Sequence, residues 1–247
     1  MMEFRNQAGR WAELFFDGLL PRHCVLCGLG SGPENICAPC AAELPRIGHC
    51  CRLCGLPLLR ETGRFCGICL RKAPPWNRAI AALVYRFPVD QMVRRFKFSR
   101  NLACGQILGK ELLQAVERKC STLPSCILPV PLHRTRHFSR AFNQAELLAR
   151  QVGKGLELPV YNHVLRRAKR TPAQSGLDAE SRKRNLRGAI QCRPPDKLQC
   201  KLGHVALVDD VMTTGSTLAE CTRTLRRAGA GEISTWVAAV TPVIPGR

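Results

Sequence analysis

Val205-Ala206-Leu207-Val208-Asp209-Asp210-Val211-Met212-Thr213-Thr214-Gly215-Ser216-Thr217 is the stretch whose reading decides the fold. The apolar run before the acids is too short for a helix and is bounded by charge, which predicts a strand buried on both faces of a parallel sheet. The strand is expected to end at Asp209 and Asp210. Ligands of open α/β sheets sit beyond the carboxyl ends of the strands, so the two acids are expected at the rim of a pocket and not in the core. Thr213 to Thr217 sets hydroxyls around one glycine and leads into a helix predicted over Leu218 to Ala228, with Leu218, Cys221 and Leu225 as its apolar positions. Gly215 allows close backbone approach, and the free N–H groups of the helix start favour an anion. Acids able to accept from sugar hydroxyls, beside a turn able to hold phosphate, describe a phosphorylated sugar. The plainer alternative is an acidic turn before an ordinary helix capped by Ser216 or Thr217.

Working outward, 247 residues with 45% hydrophobic content allow one or two packed domains. Lys and Arg total 38 against 18 acids, a formal charge of +20, while an aromatic content of 6% is low for a protein that binds bases mainly by stacking. Such a charge calls for an anionic partner, and nucleic acid, a polyphosphate ligand or an anionic surface would each serve. Trp11, Leu14, Phe15, Leu19 and Leu20 recur at helical spacing, but Glu13 and Asp17 interrupt them. Residues 1–20 are therefore expected to form a short amphipathic helix that packs on its own domain, neither signal peptide nor membrane span. The chain is expected in the cytoplasm.

Eight of the fifteen cysteines form four pairs with two residues inside each: Cys24 and Cys27, Cys37 and Cys40, Cys51 and Cys54, Cys66 and Cys69. That spacing lets both thiolates of a pair reach one ion, and Gly28 and Gly55 follow their pairs where a knuckle needs positive φ. Thiols of a cytosolic chain stay reduced, so a disulfide framework is disfavoured and two structural zinc ions are preferred over iron–sulfur ligation. The simplest grouping is sequential, with Cys24, Cys27, Cys37 and Cys40 on one ion and Cys51, Cys54, Cys66 and Cys69 on the other; a crossed grouping stays open. Each all-thiolate site carries a net −2, and two of them lower the formal +20 to +16. The remaining cysteines lack paired spacing and are expected to behave as small apolar residues.

A composition shift at Ala73 and the pair Pro74-Pro75 mark a linker, dividing the chain into residues 1–20, a double ribbon over 21–72 and a larger domain over 76–247. Unfolding the ribbon is then expected to leave the larger domain able to bind its ligand. Within that domain Ala79 to Phe87, Cys126 to Val130 and Ile233 to Val240 read as strands. Asp90 to Phe98, Leu102 to Glu117 and Asn143 to Gln151 read as helices. The alternation predicts an α/β fold with a largely parallel sheet covered by helices. Two basic segments stand out: Leu132 to Arg140, after a strand, and the long stretch from Arg166 to Arg187, of the kind that is functional or mobile inside a compact domain.

The thirteen residues quoted first resemble the phosphoribosyl-pyrophosphate (PRPP) motif of type I phosphoribosyltransferases at every position. The resemblance implies that Asp209 and Asp210 hold the ribose hydroxyls as the catalytic acids, and that Thr213, Thr214, Gly215, Ser216 and Thr217 hold the 5′-phosphate. Paired zinc ribbons ahead of such a domain, with Phe96-Lys97-Phe98, Val130-Pro131-Leu132, Arg140-Ala141-Phe142-Asn143-Gln144, Thr171-Pro172-Ala173-Gln174 and Arg182-Lys183-Arg184-Asn185-Leu186 in order, resemble the ComF (competence protein F, also GntX) family. That implies PRPP binding with Mg²⁺ and, in competent bacteria, a part in bringing single-stranded DNA inward alongside competence helicase-type proteins. Transfer of the phosphoribosyl group would require cations on the departing pyrophosphate, for which Arg134, Arg136 and Arg182 are candidates. No residue set identifies an acceptor. A phosphoribosyltransferase and a DNA-handling protein that binds PRPP without turnover both remain open, as does a generic zinc-ribbon nucleic-acid binder with an incidental acid pair.

Overall fold

The computed structural model describes residues 23–58, 63–132, 142–167, 188–193 and 203–242. In chain order the regular elements are a 3₁₀ turn (Gly32–Glu34), α1 (Ala38–Ala42), α2 (Gly67–Arg71), β1 (Arg78–Val84), α3 (Val89–Phe98), α4 (Leu102–Lys119), β2 (Cys126–Pro129), α5 (Gln144–Gly155), β3 (Leu165–Arg167), β4 (Ile190–Cys192), β5 (His204–Met212), α6 (Ser216–Arg227) and β6 (Glu232–Val240). They fall into two compact units, Met1–Leu44 and Pro45–Arg247. The division precedes the second set of cysteines, so the second half of the ribbon shares its unit with the sheet.

In the first unit Gly28 N–H closes a knuckle onto the Cys24 carbonyl at 2.9 Å, and α1 begins directly after Cys37 at its N-cap. The second unit opens with the same device: Gly55 N–H reaches the Cys51 carbonyl at 2.8 Å, and α2 follows Cys66 at its N-cap. Both glycines have the positive φ expected of the knuckle, 78° at Gly28 and 70° at Gly55.

The main sheet of the second unit has the order β1-β6-β5-β2, and each neighbouring pair is parallel. Parallel strands need both faces covered, which explains why Val205 to Val208 are wholly buried. Alternate residues serve opposite faces. Val205, Leu207, Val237 and Ala81 join a core with Leu218, Cys221 and Leu225 of α6, together with Val164, Leu165 and Ile190 around the antiparallel pair β3–β4. Across the other face α4 packs on β1 and α5 on β2, and the two helices meet each other. Gly105 on α4 leaves room for the Phe96 ring, since a Cβ there would lie 2.5 Å from it.

The second half of the ribbon is fixed to the sheet by backbone and by close packing. Ala79 N–H donates to the Arg52 carbonyl at 2.8 Å, and a Cβ on Gly55 would stand 2.8 Å from that of Ala81. Pro45 to Ile47 runs beside edge strand β1: Ile47 N–H donates to Ala82 O and Val84 N–H to Pro45 O, both at 2.9 Å. Arg46 holds this segment through a two-point pair with buried Glu111, 2.7 Å at each oxygen. At the opposite edge Ile127 of β2 exchanges bonds with Pro159 and Tyr161 at 2.9 and 3.0 Å.

Strand β5 continues past the expected stop at the acids to Met212, because Val211 and Met212 still pair with Ala239 and Val240 of β6. Helix α6 likewise starts earlier than expected, at Ser216, with Gly215 as N-cap at φ 68° and neither Ser216 nor Thr217 capping. The basic stretch that begins at Arg166 is not wholly irregular: Arg166 and Arg167 lie in β3, paired with Gln191 and Ile190.

Candidate functional site

The eight paired cysteines gather as two sets of four, Cys24, Cys27, Cys37 and Cys40, then Cys51, Cys54, Cys66 and Cys69, with the ligand atoms of each set within 4.8 Å of one another. The grouping is sequential, not crossed. Cys27 Sγ lies 3.6 Å from Cys37 Sγ, and Cys54 Sγ 3.6 Å from Cys66 Sγ. A tetrahedron of thiolates about 2.3 Å from zinc has edges of about 3.8 Å, so these spacings fit the ion, whereas a disulfide needs about 2 Å. The chemistry of the donors agrees. Against the effect of burial, backbone N–H groups of Cys27, Cys37 and Leu26 lower the Cys24 thiol to about 6, while its neighbours Cys37 and Cys27 push Cys40 up to about 12. Four crowded thiols do not ionise together unless a dication neutralises them. With all four positions filled by protein, such sites are structural.

The second site lies at the carboxyl ends of the parallel strands. A cleft of about 410 Å³ is lined by Lys97, Asn143, Gln144, Arg167, Asp209, Asp210 and the turn from Thr213 to Thr217. Every described residue of the thirteen-residue motif beyond the buried apolar run faces this one space. Strand alternation sends the two acids to opposite faces of β5. Asp210, 8% exposed, reaches the α3 side and pairs with Lys97 Nζ at 2.9 Å. Asp209 lies toward α6, and its Oδ1 accepts the Asp210 N–H at 2.9 Å. Burial and the neighbouring Asp210 push the Asp209 carboxyl up to about 7, against the opposing field of Lys97. Burial, then Asp209, in turn push up the thiol of Cys221 below it. The acids therefore stand within the strand and partly under the cleft floor, not at an open rim.

The turn is held from beneath. A Cβ on Gly215 would lie 2.8 Å from Trp76 Cη2, so both the left-handed φ and the contact demand glycine there. Trp76 is itself 6% exposed, and its indole N–H donates to the carbonyl of Leu53, inside the Cys51–Cys54 knuckle. Above it Thr214 Oγ1 and Ser216 Oγ lie 2.8 Å apart. The N–H groups opening twelve-residue helix α6 add a positive end to the same spot.

Two cleft residues, Lys97 and Gln144, enter the sequence reading only within the quoted family segments and not as site candidates. Lys97 appears in the sequence as one of three cations on α3, and only the fold aims it at Asp210. Gln144 is 1% exposed, and neither its amide oxygen nor its amide nitrogen has a partner among the described residues. Asn143 before it caps α5, accepting from Ala145 N–H at 3.1 Å and donating to the Val130 carbonyl at 3.0 Å. That cap turns the helix so that Gln144 reaches the cleft. Arg134, Arg136 and Arg182 lie outside the described residues.

Residues 15–70 match the family of the double zinc ribbon domain. The chain is 35% identical over 219 residues to "Competence protein F" of Haemophilus influenzae, covering 86% of this chain and 94% of that protein. It is 35% identical over 223 residues to "DNA utilization protein YhgH" of Escherichia coli strain K12, covering 88% and 96%. Similarity extends to "Competence protein ComFC" of Bacillus subtilis, 25% over 204 residues, covering 79% and 80%. Among solved structures, an orotate phosphoribosyltransferase from Aeropyrum pernix is 16% identical with a TM-score of 0.33, covering 58% of this chain and 75% of that one. A double zinc ribbon joined to a parallel α/β sheet, and similarity to these relatives over most of both chains, make this protein a member of the competence protein F (ComF) family.

Proposed function

We propose that the cleft binds PRPP together with Mg²⁺ and that the protein acts as a phosphoribosyltransferase on an acceptor still to be identified. The observation that carries this reading is the convergence on one cleft of the two acids of β5 with the hydroxyl turn closed by Gly215. Asp209 and Asp210 accept from the ribose 2′ and 3′ hydroxyls. Thr213, Thr214, Ser216 and Thr217, with the N–H groups of Gly215 and the α6 start, hold the 5′-phosphate. Lys97, 2.9 Å from Asp210, holds that side chain in place until the sugar arrives. The unpartnered amide of Gln144 has both a donor and an acceptor to offer the bound ligand. Mg²⁺ would neutralise the diphosphate, and Arg134, Arg136 and Arg182 would stabilise pyrophosphate as the bond to C1 breaks.

Calorimetric titration with PRPP and Mg²⁺ tests the binding. The wild type should bind with a Kd below millimolar, and Asp209→Asn/Asp210→Asn should bind at least about 100-fold more weakly, the scale of two lost charge-assisted hydrogen bonds. No heat from the wild type at millimolar ligand would end the proposal. Release of pyrophosphate on adding candidate nucleobases or amines then tests turnover.

A second reading is favoured by the names of the relatives, which refer to competence and to DNA utilization, and by the net charge of +20. In it the protein handles single-stranded DNA, with or without turnover of PRPP. Eight closely grouped free thiols suit a reducing compartment, so this reading puts the protein in the cytoplasm. Among the described residues no helix is long and apolar enough to cross a membrane.

A further inference from the structure

A second cavity, of about 460 Å³, opens in the unit Pro45–Arg247 where the second half of the ribbon meets β1 and the end of α4. Its lining includes Arg52, Arg64, Arg78, Arg118, Lys119 and His49, with no carboxylate among the described residues. Local structure fixes the cations in place. Arg52 N–H donates to the Arg64 carbonyl at 3.0 Å, setting these two residues side by side, and the His49 ring meets the Gly63 carbonyl at 2.8 Å next to them. Arg78 donates its guanidinium to the Lys119 carbonyl, and Lys119 Nζ donates to the Ile47 carbonyl at 2.6 Å. Arg52, Arg64 and Arg118 project into solvent, and among the described residues no carboxylate pairs with any of the five.

Five cations gathered with no counter-charge among the described residues repel one another. Burial first, then the fields of Arg118 and Arg78, lower the Lys119 ammonium from its ordinary value, against the opposing effect of Cys50. The carboxyl end of α4 would by itself disfavour an anion here. Its carbonyls are partly occupied by Arg78 and by Cys120 N–H, and the formal cations outweigh the half charge of a helix end. None of these residues lines the PRPP cleft, and none is a cysteine ligand.

We propose that this cavity is an anion site that takes backbone phosphates of single-stranded DNA. The cations choose phosphate. Exposed guanidinium groups facing open solvent suit a strand that passes through, and with no Phe, Tyr or Trp among the described lining residues the contact is mainly one of charge and not of base stacking. The site rests on the DNA-handling reading above and gives it a location separate from the PRPP cleft.

The experiment uses the full-length, zinc-loaded chain. Anisotropy of a labelled oligothymidylate is measured against salt for wild type and Arg52→Gln/Arg64→Gln/Arg118→Gln, with inorganic tripolyphosphate as competitor. The three side chains are exposed, so zinc content and melting temperature should be unchanged. The slope of log K against log salt should fall in magnitude by roughly 2, at about 0.7 per lost phosphate contact, with affinity at least about 10-fold lower near physiological salt. PRPP binding by calorimetry should not move. Equal slopes for variant and wild type overturn this site and leave the DNA reading standing. A wild type that binds no oligonucleotide overturns both, and one that binds tripolyphosphate but no oligonucleotide overturns the assignment to DNA.

Discussion

The two halves of the ribbon carry the same ligand spacing and the same knuckle, yet they are different kinds of structure. In the first, a Cβ on Gly28 would meet nothing within 4 Å, and Cys27 is exposed. In the second, Gly55 sits against Ala81, Cys51 and Cys69 are buried, and Leu53 accepts the indole N–H of the tryptophan beneath Gly215. The second half is, besides a set of metal ligands, part of the core under the cleft. A repeat in sequence does not imply a repeat in energetic role, because the role depends on what the repeat packs against.

The largest contrast is expected from removing one ligand in each half. Cys66→Ser should lose one zinc ion and lower the melting temperature of the sheet-containing unit by several degrees, with weaker PRPP binding. Cys37→Ser should also lose one ion but leave that unit's melting and PRPP affinity unchanged. Zinc content and scanning calorimetry of both variants check this; equal effects would erase the distinction. Next in size, Gly55→Ala should cost about 3 kcal/mol, from positive φ plus overpacking against Ala81, and Gly28→Ala only about 1 kcal/mol from φ alone. Denaturant titration reads the difference. Trp76→Phe keeps a ring under Gly215 but removes the bond to Leu53, and should cost about 1 kcal/mol.

A further effect is expected in pH dependence. Asp209 binds its proton more tightly in the folded chain than an ordinary carboxyl near 3.8 does, so it contributes stability below that value which is lost as pH rises toward about 7. Asp209→Asn should flatten stability between those limits. PRPP affinity should rise with pH through the same window, as the carboxylate forms. Hydrogen exchange in residues 23–44 should not follow this titration.

What could be read from the sequence divides along the same line between local and packed features. The motif is local, because a strand, two acids and a glycine turn follow one another along the chain, so its residues could be grouped before any coordinates, and they do line one cleft. The cysteine spacing likewise established the ribbon, but it left sequential and crossed ligation open until the sulfur positions separated them. Trp76, Gly55 and Ala81 were not legible as a unit: each is an ordinary residue whose meaning comes from contacts across the fold. Pro74-Pro75 marks a real change of composition, yet composition does not reveal that residues before it pack on the strand after it. Lys97 and Gln144 stand in quoted family segments, but their place in the cleft was not legible, since a cation on a basic helix and a glutamine after a cap acquire a role only through the face the fold turns to the cleft.

Both outer strands of the sheet have their free sides occupied, β1 by Pro45 to Ile47 and β2 by the segment around Pro159 to Tyr161. At those positions the backbone has no open hydrogen-bonding row to offer another chain. Self-association by strand addition, the common route from a parallel sheet to a continuous intermolecular sheet or an aggregate, is thereby blocked at the covered positions. Any assembly this protein enters through these edges has to be built from side chains and charge, which makes it responsive to salt and easily reversed.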